Sequence, residues 1–150
     1  MRLAIKEGRR NITDPKGGPF GACIVKGSRV LAVARNTVLA QDATCHAEVN
    51  AIRLASRALK SFDLTGCFIY STTEPCPMCF SAIHWARISG IAFGTSIADV
   101  KKRGFRELYI SNARLKRIGK SRLRVTPEYL RDECLALLRE WDALKDRRVY

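Results

Sequence analysis

Cys76 and Cys79 stand three positions apart in EPCPMC, with Pro75 before the pair and Pro77 inside it. A Cys-x-x-Cys pair serves as a redox dithiol, a disulfide staple or half of a metal site. Upstream, TCHAEVNAI holds His46, one of only two histidines in the chain, and Glu48 two positions later. A structural zinc takes four protein ligands, whereas a catalytic zinc keeps about three and leaves one position for water. His46, Cys76 and Cys79 supply three. Glu48 is spaced to lie beside the water rather than on the metal. Zinc would lower the pKa of that water from about 15.7 toward roughly 7 and make hydroxide available at neutral pH. Two alternatives use the same residues. A redox dithiol does not call for a His-x-Glu element upstream. A structural zinc would take Cys45 or another cysteine as fourth ligand, and Cys45 is a poor candidate because adjacent residues 45 and 46 point in different directions at a helix start.

The elements that must position these groups can be read from periodicity. MRLAIKEGRRN, with Leu3, Ala4 and Ile5, reads as the end of a short helix, and residues 14–19 (DPKGGP) form a loop by their glycines and prolines. FGACIVKGSRVLAVARN gives two apolar runs around Lys26-Gly27-Ser28, a hairpin signal. CHAEVNAIRLASRAL places Ala47, Ala51, Leu54, Ala55 and Ala58 at helical spacing. GCFIYST is a buried strand, CPMCFSAIHWAR a helix with prolines near its start, and GIAFGT a further strand. TPEYLRDECLALLREWDAL predicts a last helix with Thr126 as N-cap, Pro127 at N1 and Glu128 in the first turn. Its apolar stripe is Leu130, Cys134, Leu137, Leu138 and Trp141. Strands alternating with helices predict an α/β sandwich, a mixed sheet with helices packed on its faces. In this map His46 and both cysteines fall at helix N-termini, where partial positive charge favours thiolate.

The bulk numbers bound the rest. The 150 residues, 47% hydrophobic, suffice for one core, and no repeat, low-complexity tract or composition break divides residues 1–150. The N-terminus has no apolar signal-peptide core, and no apolar run approaches the roughly 20 residues of a membrane span. A cytoplasmic protein without membrane contact is expected. Six cysteines in a reducing compartment then argue against a disulfide framework, and Cys23, Cys45, Cys67 and Cys134 read as small buried hydrophobes. The charge is +13, and between Lys101 and Arg124 ten basic residues face one acid, Glu107. That stripe is either a polyanion-binding face or a solvated surface, since charge alone carries no base information.

His-x-Glu followed by Pro-Cys-x-x-Cys is a signature of zinc deaminases. With GGPFGACIV (17–25), HAEVNAIR (46–53), EPCPMCFSAIHWAR (74–87) and RGF (103–105), the chain resembles the cytidine/deoxycytidylate deaminase superfamily, and within it the bacterial guanine deaminases and their nucleoside-deaminase relatives. The tRNA adenosine deaminases share His-Ala-Glu and Glu-Pro-Cys-x-Met-Cys, and DECLALL (132–138) is similar to their last helix. The resemblance implies a three-layer α/β/α sandwich with a central mixed five-stranded sheet, as in cytidine deaminases. It implies that His46, Cys76 and Cys79 hold Zn2+ and that Glu48 shuttles protons. It implies further that the Ala47 backbone N–H and Asn36 contact the substrate and that Phe20 and Trp85 flank its ring. As lone residues, Asn36 is equally a turn residue and the two aromatics more often core. His84 reads as a helix-surface residue. Guanine deaminases carry two aspartates after Gly-Phe, the second on the substrate's amino group; here Arg106 and Glu107 stand in those places. They also end in a tyrosine that reaches a neighbouring subunit's site, the place of Tyr150, which otherwise reads as a frayed terminus.

Three functions follow as expectations. The first is hydrolytic deamination of a free purine, guanine to xanthine and ammonia, in a homodimer; zinc hydroxide would attack and Glu48 would carry the proton. The second is adenosine-to-inosine conversion in a tRNA anticodon loop, with RNA held by the stripe at 101–124. The third is a zinc-stabilised RNA-binding module without turnover, in which Glu48 has no purpose. The first is preferred, because named pocket residues constrain a substrate more than net charge does.

Overall fold

A computed structural model describes residues 1–150. After helix α1 (Arg2–Thr13), strands β1 (Gly21–Lys26) and β2 (Arg29–Arg35) form the expected hairpin. Gly27, at φ 56°, takes the turn position that a side chain would strain. There follow α2 (Ala47–Leu59), β3 (Cys67–Thr73), α3 (Pro77–Trp85) and β4 (Gly90–Thr95). Two short helices, α4 (Ile97–Lys101) and α5 (Asn112–Ile118), lead to β5 (Arg124–Thr126) and the last helix, α6 (Arg131–Asp142).

The sheet order is β2-β1-β3-β4-β5. β1 is antiparallel to both β2 and β3, whereas β3, β4 and β5 run parallel. The mixed sheet follows from the connections: a two-residue turn permits only antiparallel pairing, while helical crossovers carry the chain back to parallel strands. Helices α2 and α3 pack together on one side of the sheet, and α1 and α6 on the other. The core joins Ile24, Ile69 and Ile91 of the strands with Ala47, Ala51, Ala55 and Ile83 of α2 and α3 and Leu138 and Trp141 of α6. Cys23, Cys45, Cys67 and Cys134 are buried and unpaired, as read from the sequence. No helix is long and apolar enough to cross a membrane.

Four local expectations need correction. The first helix is a full 12 residues rather than a short end. On α2, Leu54 and Ala58 face solvent, so of the five positions expected in the apolar stripe Ala47, Ala51 and Ala55 are the buried ones. Thr126 is not a helix cap. Its backbone is engaged in β5, opposite Ala92 of β4, and Glu128 and Leu130 both adopt positive φ before α6 begins at Arg131. Strand pairing outcompetes a helix start that Thr-Pro-Glu would favour locally. Finally, α4 and α5 lie within or beside the basic stripe, where no helix was expected. Their signals are caps rather than stripes: Ser96 and Asp99 close a capping box on α4, and Ser111 caps α5.

Asp99 does more than cap. Its carboxylate accepts from both arms of the Arg131 guanidinium, at 2.9 and 3.2 Å, tying α4 to α6. Burial alone would raise its pKa, but Arg131 and the Ser96 N–H and hydroxyl outweigh that and hold it at about 2, below the usual 3.8. A depressed carboxyl contributes stability at pH values above its unfolded pKa, and the contribution disappears as pH falls through the folded one. Asp99→Asn is therefore expected to cost about 1–2 kcal/mol at pH 7. Urea midpoints of mutant and wild type should converge as pH is lowered from about 4 to 2.

Candidate metal centre and active site

His46 is the N-cap of α2 and Cys76 the N-cap of α3, and both have extended backbones (ψ 154° and 168°). Neither side chain caps its own helix. They turn toward each other instead: His46 Nδ1 lies 3.7 Å from Cys76 Sγ. Pro77 sits in the first turn of α3, where it needs no N–H partner, and one turn of helix brings Cys79 back to the same point. The donor atoms of His46, Cys76 and Cys79 all lie within 4.8 Å of one another.

This set fits zinc. Bond lengths of about 2.3 Å to sulfur and 2.0–2.1 Å to nitrogen give a tetrahedral S···N edge of about 3.6 Å, close to what is observed. The charge state agrees. Hydrogen bonding with Cys79, against the opposing effect of burial and with help from His46, lowers the Cys76 thiol to about 4. That same bond, together with burial and the Glu48 charge, raises Cys79 well above its ordinary range. In His46, burial works against the imidazolium, but the Cys76 sulfur and the Glu48 charge raise its pKa overall. One proton is thus retained where a divalent cation would replace it, and two thiolates with one imidazole suit zinc.

Glu48, in the first turn of α2, is 3% exposed. Its Oε1 accepts from the Ser71 hydroxyl at 2.8 Å, and its Oε2 lies 3.5 Å from Cys79 Sγ, on the metal side. Burial raises its pKa. Ala47, fully buried, separates it from His46. Asn36, following β2, is 1% exposed; its Oδ1 accepts from the Val38 N–H at 3.1 Å, and its Nδ2 has no partner. Glu107 is half-buried and makes no side-chain hydrogen bond; burial, then the negative charge of Cys76 and Glu48, lifts it to about 7 although His46 opposes. Those couplings mark it as facing the centre. Arg106 beside it is exposed.

Tyr150 folds back onto its own chain. Its hydroxyl accepts from the Gly18 N–H at 3.2 Å, its ring meets Phe105 edge-on at 5.4 Å, and its carbonyl accepts from the Arg106 N–H. Phe20 is 7% exposed and packs edge-on against Phe105 at 5.0 Å, so it supports the wall rather than presenting a face. Trp85 is not brought to the site. It ends α3, 78% exposed, about 13 Å along the axis from Cys76. His84 is exposed, with Nδ1 3.3 Å from the Ser121 hydroxyl.

Sequence reasoning missed the residues that hold these groups. Asn11 of α1, fully buried, donates to the carbonyls of Gly18 (2.7 Å) and Asn36 (2.8 Å), joining the loop before β1 to the one after β2. Glu74 accepts from the Asn112 N–H (2.7 Å) and the Ile97 N–H (3.2 Å), and the Asn112 side chain donates to the Pro75 carbonyl at 2.6 Å. Only Glu74, in the EPC motif, left a mark in the sequence.

The model of the cytidine and deoxycytidylate deaminase zinc-binding region matches residues 1–95. The chain is 43% identical over 95 residues to a guanine deaminase of Bacillus subtilis, an overlap of 63% of this chain and 61% of that protein. It is 35% identical over 121 residues to a tRNA-specific adenosine deaminase of Buchnera aphidicola, covering 80% and 77%. The chain thus spans about three fifths of the first relative and more of the second. Its structure superposes on a guanine deaminase from Nitrosomonas europaea with a TM-score of 0.86 at 29% identity, over 95% of this chain and 82% of that one.

Purified protein is expected to carry about one zinc per chain by elemental analysis, and Cys76→Ala or Cys79→Ala to lose it. After chelation, Cys76 should be the first of the six cysteines alkylated at pH 6, because its thiol is lowered to about 4 and the other five are buried. Zinc should protect it.

Proposed function

Because this chain belongs to the cytidine and deoxycytidylate deaminase family, we propose that residues 1–150 form one zinc-dependent deaminase domain acting on a purine base, with guanine converted to xanthine and ammonia. The observation that carries the reading is a pair of unmatched groups, Asn36 and Glu107, the second of which feels the charges of the metal centre. Asn36 Nδ2 is a buried donor without an acceptor, and Glu107 a half-buried acceptor without a donor. A purine offers ring nitrogens and a carbonyl to the first and N–H groups to the second. A buried amide left unpaired costs about 1–3 kcal/mol, which a base of matching pattern recovers on binding.

Zinc, when bound, supplies the Lewis acidity that makes water a nucleophile at neutral pH. Glu48 takes the proton from the attacking water on a carboxylate oxygen. It gives that proton to the ring nitrogen and then carries the proton of the newly added hydroxyl to the amine, so that the C–N bond breaks, ammonia leaves and the carbon keeps the oxygen as a carbonyl. Burial raises its pKa, as suits a group that must both accept and return a proton. Asn36 and the Ala47 N–H orient the ring, Glu107 accepts from it, and Tyr150 closes the mouth and excludes water. We place the protein in a reducing cytoplasm, as its six unpaired cysteines suggest, and propose a homodimer through the α2–α3 face, where Leu54 and Trp85 lie exposed.

The second reading is a tRNA adenosine. It is favoured by one observation: of the ten basic residues in 101–124, only Arg103 has an ion-pair partner, Asp142 at 2.8 Å.

Ammonia release should be measured with guanine, guanosine, adenine, cytosine and unmodified tRNA. Turnover of guanine, insensitive to salt, is expected; turnover of tRNA alone, falling steeply as salt rises, would reverse the assignment. Glu48→Gln should retain zinc and lose about 10²–10⁴-fold in kcat. Asn36→Ala should act mainly through KM. In light scattering, Trp85→Lys should shift dimer toward monomer.

A further inference from the structure

The side chains of β3 alternate between the two faces of the sheet, and Cys67, Ile69 and Ser71 share one of them. The first two are fully buried core residues, so the pattern asks for a third apolar group. Instead it delivers a serine at 1% exposure. Its neighbours in register are Ala22 on β1 and Phe93 on β4, neither of which offers a side-chain polar atom. The one hydrogen bond of its side chain is to Glu48 Oε1, at 2.8 Å. Packing gives no reason for a hydroxyl there; Glu48 does.

We propose that Ser71 is a positioning residue for the proton shuttle, pinning one oxygen of Glu48 so that the other is held toward the metal. The inference rests on the role given to Glu48 above. A carboxylate has two equivalent oxygens and a soft terminal torsion. With Oε1 fixed from the sheet, Oε2 stays on the side of Cys79, 3.5 Å from its sulfur. Without the hydroxyl, the carboxyl keeps its place on α2 but turns about that torsion. The fraction of time in a reactive geometry then falls, because proton transfer needs heavy atoms within about 2.6–3.2 Å. Ser71 acts from the sheet while Glu48 sits on a helix, so the bond also sets the depth of the α2 start against β3. The two variants Ser71→Ala and Ser71→Thr separate orientation from packing. Alanine removes only the oxygen, from a site that the alternation would fill with an apolar residue anyway. Threonine restores it.

For Ser71→Ala, kcat on the base that the wild type deaminates should fall by about 10–100-fold, with KM within about threefold. Zinc content and thermal midpoint should match the wild type. In the cobalt-substituted protein the visible absorption bands should move, because the carboxyl beside the metal-binding residues has turned. Ser71→Thr should recover most of the rate and the wild-type spectrum. The proposal is overturned if Ser71→Ala keeps kcat within about twofold with an unchanged cobalt spectrum, or if its loss tracks lost zinc or a lowered midpoint. Glu48→Gln runs alongside: if that variant stays active, the role of Glu48 fails; if it is dead while Ser71→Ala is not, Ser71 alone fails.

Discussion

Three acidic groups, one carboxyl and two thiols, are crowded together largely out of water. Glu48 is 3% exposed and Cys79 fully buried, while Cys76 carries the charge of a strongly lowered thiol. In low dielectric, like charges at such spacing are costly, and the raised pKa of Glu48 and Cys79 expresses that cost. A divalent cation relieves it, but only at a point where the backbone has already assembled the donors. Two helix starts therefore have to meet, and the sheet makes them meet. β3 ends where α3 begins, and the loop after β2 ends where α2 begins. Since α2 and α3 pack side by side on one face, their first turns converge.

Convergence needs rigid supports, and these come from outside the two helices. Glu74 bridges the starts of α4 and α5, and Asn112 grips the Pro75 carbonyl next to Cys76. The cysteine loop is thus fastened to two elements further along the chain. On the opposite side of the sheet, Asn11 spends both amide hydrogens on the carbonyls of Gly18 and Asn36. Gly17 allows this closeness, because a Cβ there would strike the Asn36 side chain. The pocket wall is a joint between α1, two loops and the tail, and Asn36 is only as well placed as Asn11 makes it.

What could be read from the sequence follows from how local each signal is. The metal donors announce themselves because ligand spacing on a helix start is a short-range pattern. The hairpin and β3 and β4 announce themselves by apolar runs. β5 does not, since Arg124–Thr126 has one apolar residue and draws its identity from pairing with β4. The same pairing hides the true start of α6, because Thr126-Pro127-Glu128 imitates a cap that the sheet has pre-empted. Ser71, Asn11 and Asn112 were invisible for a related reason: each is an ordinary polar residue until a distant carboxylate or carbonyl arrives. Trp85 shows the reverse. Its place in a motif suggested a pocket, but helix length carries it to the far end of α3, onto an exposed face.

The tail bears on which substrate such a site can take. Tyr150 hydrogen-bonds to the Gly18 N–H, and its backbone is clipped to Arg106, next to Glu107. On the reading proposed above, a ring lodged there would favour a free base, which can be enclosed entirely. A nucleotide within a polymer cannot be, because its sugar and phosphates must continue outward through the same opening. On the same reading, RNA would have to displace Tyr150 at the cost of its Gly18 bond and Phe105 contact. The basic stripe then offers attraction at long range, while the closed mouth exacts a penalty at short range. For the free base proposed above the two would not compete, since a small neutral molecule gains little from the cations of the stripe.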